Sequence, residues 1–259
     1  MAGPAPFGRS EGSFIPRLTA TIRDLQRLLF GSPLRIGFAI WLFLIIIAEI
    51  WNLFFGKTHD RVVAVSLFAC ASCTVIAWAW RDSLTVRVKK WNASPRTKFI
   101  VIGGLGAAWV EYVFWQFEKI FGITGVAASP NLAIDLLATM PWYLLMIFLF
   151  WRVQTRIELG FAEIFVLGGV YELGADGIVA PLIGNTFTLT TIPAGITFIP
   201  LFCLAYSFMV IPCSAILKDE IGRARAASPG TKINRYVFAL LPLLGLLPYL
   251  AIAFIIMAV

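Results

Sequence analysis

FAEIFVLGGVYELGADGIVAPLIG, residues 161–184, carries three acidic residues and no Lys or Arg. At 1.5 Å of rise per residue the run is long enough to cross a hydrocarbon core of about 30 Å as one helix. Glu172 and Asp176 stand one helical turn apart inside it, with no basic residue anywhere in the run to neutralise them. A lone run of this kind would suit the core of a soluble domain. Here the pattern repeats along the chain.

Working outward, apolar runs of similar length occupy residues 36–55, 62–80, 99–121, 132–151, 192–217 and 236–259, which with 161–184 makes seven. Of 259 residues, 59% are hydrophobic and 14% charged, against roughly 25% charged in soluble domains, and the mean hydropathy is +0.86. These values predict an all-α integral membrane protein, a bundle of about seven transmembrane helices whose surroundings are the lipid bilayer. Residues 1–35 read as a cytoplasmic N-terminal segment and residues 36–259 as the transmembrane domain. No cleavage pattern follows the first apolar run, so an uncleaved chain is expected.

Charge sets the expected orientation. Eighteen of the 21 basic residues fall before the first span or after the second, fourth and sixth, leaving Lys57, Arg61 and Lys119 on the other side. By the positive-inside rule the N-terminus is cytoplasmic. The cell (inner) membrane is the expected location. The net charge of +7 is thereby a topology signal, and no nucleic-acid partner is implied. Within PRLTATIRDLQRLLF, residues 16–30, Leu18, Ile22, Leu25 and Leu29 form one stripe with Arg17, Arg23 and Arg27 turned away, the pattern of an interfacial amphipathic helix or of one packed on the loops.

Seven acids lie within the spans: Glu49, Glu111, Glu118, Asp135, Glu163, Glu172 and Asp176. An ionised carboxylate at the bilayer centre costs at least about 2.5–3.5 kcal/mol, so such groups face a protein interior or a watered cavity. With the spans alternating in direction, Glu118, Asp135, Glu172 and Asp176 can converge in the outer half, with Glu111 beneath them. Glu163 falls near the cytoplasmic end, where Arg152 or Arg156 can pair with it. Glu49 either joins the cluster or makes a polar contact near the outer interface. A purely structural reading of the central group, neutral carboxyls hydrogen-bonding neighbouring helices, is also open. Gly103, Gly104 and Gly106, and likewise Gly168, Gly169, Gly174 and Gly177, would let helix backbones approach closely.

Residue types exclude several chemistries. The single histidine, His59, rules out a His-rich di-iron site and a haem with two His ligands, and no span carries a lysine suited to a retinal Schiff base. No aspartate-rich diphosphate motif is present. Cys70 and Cys73 have dithiol spacing but sit at mid-span, where small thiols pack as hydrophobes. No cofactor and no metal site is expected. What remains is acid–base chemistry by Glu172, Asp176, Glu118, Asp135 and Glu111 among aromatic side chains such as Trp142 and Tyr143, which can stabilise a cation with their π faces. A lipophilic, isoprenoid-like small molecule suits that environment. A proton- or cation-coupled transporter or channel using the same acids, and a structural subunit of a membrane complex, are the alternatives.

Two motifs carry a resemblance. EKIFGITG, residues 118–125, and then ELGADGIVA, residues 172–180, ahead of a Pro-containing aromatic span, resemble the pattern of membrane carotenoid hydratases of the bacterioruberin pathway over roughly residues 108–212. The resemblance implies addition of water across a terminal double bond of a carotenoid, with no metal. The same two Glu-then-Gly segments, each followed by a span with an internal Pro, also suggest a weak internal repeat with a site at its interface.

Overall fold

The computed structural model describes residues 32–183, 188–228, 230–247 and 250. The expected amphipathic helix at residues 16–30 lies outside them, as does most of the second half of the seventh apolar run.

Helix starts are set by local capping. Helix α1 (Pro33–Phe55) begins with a proline in its first turn behind Ser32, whose hydroxyl accepts the Arg35 N–H. Proline fits there because the first-turn N–H groups have no intrahelical acceptor. After the Gly56 turn, α2 (Thr58–Ala79) returns, and the short α3 (Arg81–Lys89) follows. Helix α4 (Pro95–Phe121) repeats the device with Ser94 and Pro95, so it starts four residues earlier than the apolar run predicts and draws Lys98 into the helix, buried. Gly122, at φ +67°, ends it in the left-handed conformation that glycine tolerates best. Helix α5 (Leu132–Gln154) is capped by Asn131, whose Oδ1 accepts the Ala133 and Ile134 N–H groups.

The run that opens this account folds as α6 (Phe161–Gly174), a π turn (Ala175–Val179) and a last helical turn, α7 (Ala180–Ile183). The sixth apolar run, expected as one span, is divided into α8 (Thr191–Thr197) and α9 (Ile199–Ile216) at Phe198. Pro200 falls in the first turn of α9; its nitrogen offers no hydrogen to the preceding turn, so the ladder is interrupted there. Helix α10 (Lys218–Ala226) and helix α11 (Arg235–Ala239) follow, and a 3-10 turn (Leu241–Gly245) continues the seventh apolar run.

The described elements are helical throughout, and six helices are long and apolar enough to cross a membrane: Pro33–Phe55, Thr58–Ala79, Pro95–Phe121, Leu132–Gln154, Phe161–Leu182 and Ile199–Ile216. The protein is an all-α membrane protein. Helix α9 is the central one, packed on α6, α2 and α4, while α5 lies against α4 and the 3-10 turn. Two glycines permit this packing. A Cβ on Gly106 of α4 would lie 2.7 Å from the Phe208 carbonyl oxygen, and one on Gly169 of α6 would lie 2.9 Å from the Ile199 carbonyl oxygen. Both contacts are backbone to backbone, the close approach that small residues allow between membrane helices. Helix α1 is peripheral and turns Ile40, Phe43, Leu44, Trp51, Phe54 and Phe55 outward, an apolar face suited to lipid.

The basic segments meet at one end of the bundle. Lys89 of α3 contacts Asp219 of α10 at 3.3 Å, Arg225 donates to the Gln154 carbonyl at the end of α5, and Arg235 pairs with Glu163 at 2.8 Å. The alternation of charge between successive loops along the sequence therefore corresponds to a spatial alternation of helix ends. Glu163 does find an arginine, but Arg235 rather than Arg152 or Arg156. The reason is that α11 starts beside the first turn of α6, where Glu163 already accepts the Gly160 N–H at 2.7 Å.

Candidate functional site: a carboxyl and tyrosine cluster

Glu111 on α4 and Glu172 on α6 are 6% and 0% exposed, and one hydroxyl stands between them. Tyr143 Oη of α5 lies 2.6 Å from Glu111 Oε1 and 3.1 Å from Glu172 Oε1. A phenol carries one hydrogen, so Tyr143 can donate to only one of these oxygens and must accept from the other. The second contact is a hydrogen bond only if that carboxyl carries the proton. Were both ionised, an oxygen lone pair would face a negative charge with no hydrogen between them. The second oxygen of Glu172 is buried without a partner among the described residues, a costly state for a charged group. A proton on one of the two carboxyls would complete both contacts as hydrogen bonds.

Asp176 approaches from the π turn and accepts from Tyr206 Oη of α9 at 2.9 Å. The rings of Tyr143 and Tyr206 lie side by side, 6.3 Å between centroids and tilted by 30°. Two carboxyl–tyrosine pairs therefore stand against each other, with Asp176 in electrostatic range of both Glu172 and Glu111. Asp176 differs from the others in exposing surface, although it lies deep among protein atoms. It exposes surface, whereas Glu172 is wholly buried. The π turn is the cause. An i→i+5 turn inserts an extra residue into the helical register, so Asp176 does not repeat the direction of Glu172 as a regular turn would.

Asp135, 0% exposed, accepts the Ser129 N–H at 3.0 Å through Oδ1 and comes within interaction range of Glu111. Its Oδ2 has no partner among the described residues. Glu118 stands at the edge of this set, within electrostatic range of Asp135. Its Oε1 accepts the backbone N–H groups of Val126 and of Ala127, the latter at 3.0 Å, so it holds the loop after Gly122. It sits in a place unlike that of Glu172, and the two halves suggested by the sequence do not use their glutamates alike. Glu49 is buried on α1 beside Asn52, away from the cluster. Glu111 stands across one hydroxyl from Glu172.

Among the described residues no ion pair involves Glu111, Glu118, Asp135, Glu172 or Asp176, and no group of three or more His, Cys, Asp or Glu side chains is disposed to hold a metal ion. A cavity of about 600 Å³ does exist, but at the basic end between α1, α2, α6, α9 and α11, and none of the five acids lines it. Sequence reasoning named Tyr143 only as a flanking aromatic and missed Tyr206. The available signal was a tyrosine within an apolar span: its hydroxyl needs a partner when buried, and buried carboxyls without cations need donors.

Comparison with protein-family models, with curated proteins and with solved structures finds no match for the chain.

Proposed function

We propose that this protein is an intramembrane acid–base enzyme that adds water across a double bond of an isoprenoid- or carotenoid-like lipid. The observation that carries the reading is the Tyr143 hydroxyl held between two buried carboxyls, in a set of acids whose exposed member is Asp176. The resemblance of residues 118–125 and 172–180 to carotenoid hydratases agrees with it.

Asp176, in its protonated form, gives its proton to an alkene carbon; the π electrons form the new C–H bond and leave a carbocation on the neighbouring carbon. The π face of Tyr206 stabilises that cation. Water adds through an oxygen lone pair, and the proton it releases returns to the Asp176 carboxylate. Glu172, Glu111 and Tyr143 are buried behind Asp176. They act as positioning residues, a buried reserve of one proton and one hydroxyl dipole that fixes the charge state around Asp176.

The test is conversion of an acyclic carotenoid in membranes carrying the protein, followed by mass spectrometry for the gain of one water. General acid–base catalysis contributes about 10²–10⁴-fold, so Asp176→Asn is expected to lower conversion at least about 100-fold with the protein level unchanged. Full conversion by Asp176→Asn overturns the assignment. Proton uptake by proteoliposomes without conversion would replace it with proton-coupled transport.

A further inference from the structure

The cavity at the basic end takes no part in the chemistry above. Its volume of about 600 Å³ is within the roughly 300–1,000 Å³ range of ligand sites. Leu42, Val75, Phe165, Leu204 and Ile211 make its depth apolar, and its charged lining residues, Arg35, Glu163 and Arg235, all come from the first turns of α1, α6 and α11 at one end. Arg235 is engaged with Glu163 and with the Glu158 carbonyl. Arg35 is half-buried and has no carboxylate partner among the described residues, which leaves the mouth with one excess positive charge. An independent observation lies on the same wall. Trp78, in the last turn of α2, lines the cavity, and its buried Nε1–H has no acceptor among the described residues.

We infer that this cavity binds an anionic phospholipid of the bilayer, one acyl chain filling the apolar depth and the phosphate set against Arg35 and the Trp78 N–H. A basic pocket between membrane helices is the arrangement that recognises such headgroups. A zwitterionic lipid would bring a cationic group beside Arg35 and Arg235. The chain's own N-terminal segment carries Arg9, Arg17, Arg23 and Arg27 against Glu11 and Asp24, a net positive charge that would add to the excess at the mouth. Charge therefore favours the anionic lipid over both.

The experiment is native mass spectrometry of the detergent-purified full chain titrated with phosphatidylglycerol or with phosphatidylcholine. Phosphatidylglycerol is expected to bind more tightly. Arg35→Gln is expected to weaken it about fivefold, the worth of one cation near an anionic headgroup, and to leave phosphatidylcholine unchanged. Ala71→Phe, which fills the cavity, should weaken both lipids. Thermal unfolding checks that each variant is folded, and Trp78→Phe repeats the headgroup test should Arg35→Gln fail to fold. Equal binding of the two lipids, insensitive to Arg35→Gln and Trp78→Phe, overturns the site as ordinary annular lipid does not discriminate. Tighter lipid binding on removal of residues 1–31 overturns it in favour of that segment as the occupant.

Discussion

Hydrogen counting around Tyr143 has consequences that single substitutions can read. Infrared spectroscopy should show a protonated carboxyl band that is lost or shifted in Glu172→Gln or Glu111→Gln and retained in Glu118→Gln, because Glu118 bonds only loop amides. Removing the hydroxyl in Tyr143→Phe leaves two buried carboxyls short of a partner and is expected to cost about 1–3 kcal/mol in an unfolding titration. The same change combined with Glu111→Gln should cost less than the sum, since both act on one network. At Glu118 the outcome separates role from charge: Glu118→Gln keeps a carbonyl oxygen for the two amides and should be near neutral, whereas Glu118→Leu should lose about 1–3 kcal/mol. The acids themselves were legible in the sequence, because carboxylates without cations stand out in apolar runs. Their partition was not: whether Glu118 meets Glu172 or a loop amide depends on the turn after Gly122, and no periodicity encodes that turn.

Elements position these residues through two close contacts and one irregular turn. Gly169 meets α9 at Cys203 and Ile199, three residues before Glu172 on the same helix. A methyl there has no room unless α6 and α9 separate, so Gly169→Ala is expected to destabilise the protein by about 1–3 kcal/mol and to reduce conversion by moving Glu172 and Asp176 from their tyrosines. Gly37→Ala, whose added Cβ meets nothing within 4 Å, is the matched control and should do neither. Span positions followed from apolar length, whereas the Ser–Pro starts that extend α1 and α4 beyond the apolar residues were not read from it. The π turn at Ala175–Val179 and the break at Phe198 did not follow. Both arise where Gly and Pro weaken the regular ladder, but which register the backbone then takes is decided by packing against α9, a tertiary term that a linear pattern does not contain. The direction of Asp176, and with it the proposed catalytic role, hangs on that local choice.

At the scale of the whole molecule, the ion pairs at the basic end turn a count of charges into a statement about sidedness. Lys89–Asp219, Arg225–Glu158 and Arg235–Glu163 tie α3, α10, α11 and the α5–α6 connection to one surface, while His59 and Ser129 belong to the turns at the other ends of the same helices. Exposed ion pairs contribute only about 0–1 kcal/mol each, so their arrangement follows from topology more than it stabilises it. The bias of Lys and Arg then decides which surface stays in the cytoplasm during insertion. This can be measured with single cysteines placed in a background from which Cys70, Cys73, Cys203 and Cys213 have been replaced. An impermeant thiol reagent applied to intact cells is expected to label His59→Cys and Ser129→Cys, and to label Lys90→Cys and Lys232→Cys only after the membrane is opened. The reverse pattern would put the exposed surface of Asp176 and the cavity mouth beside Arg35 on exchanged sides. The lipid site would then face the wrong leaflet for an insertion rule based on charge, and the orientation, though not the cluster, would have to be abandoned.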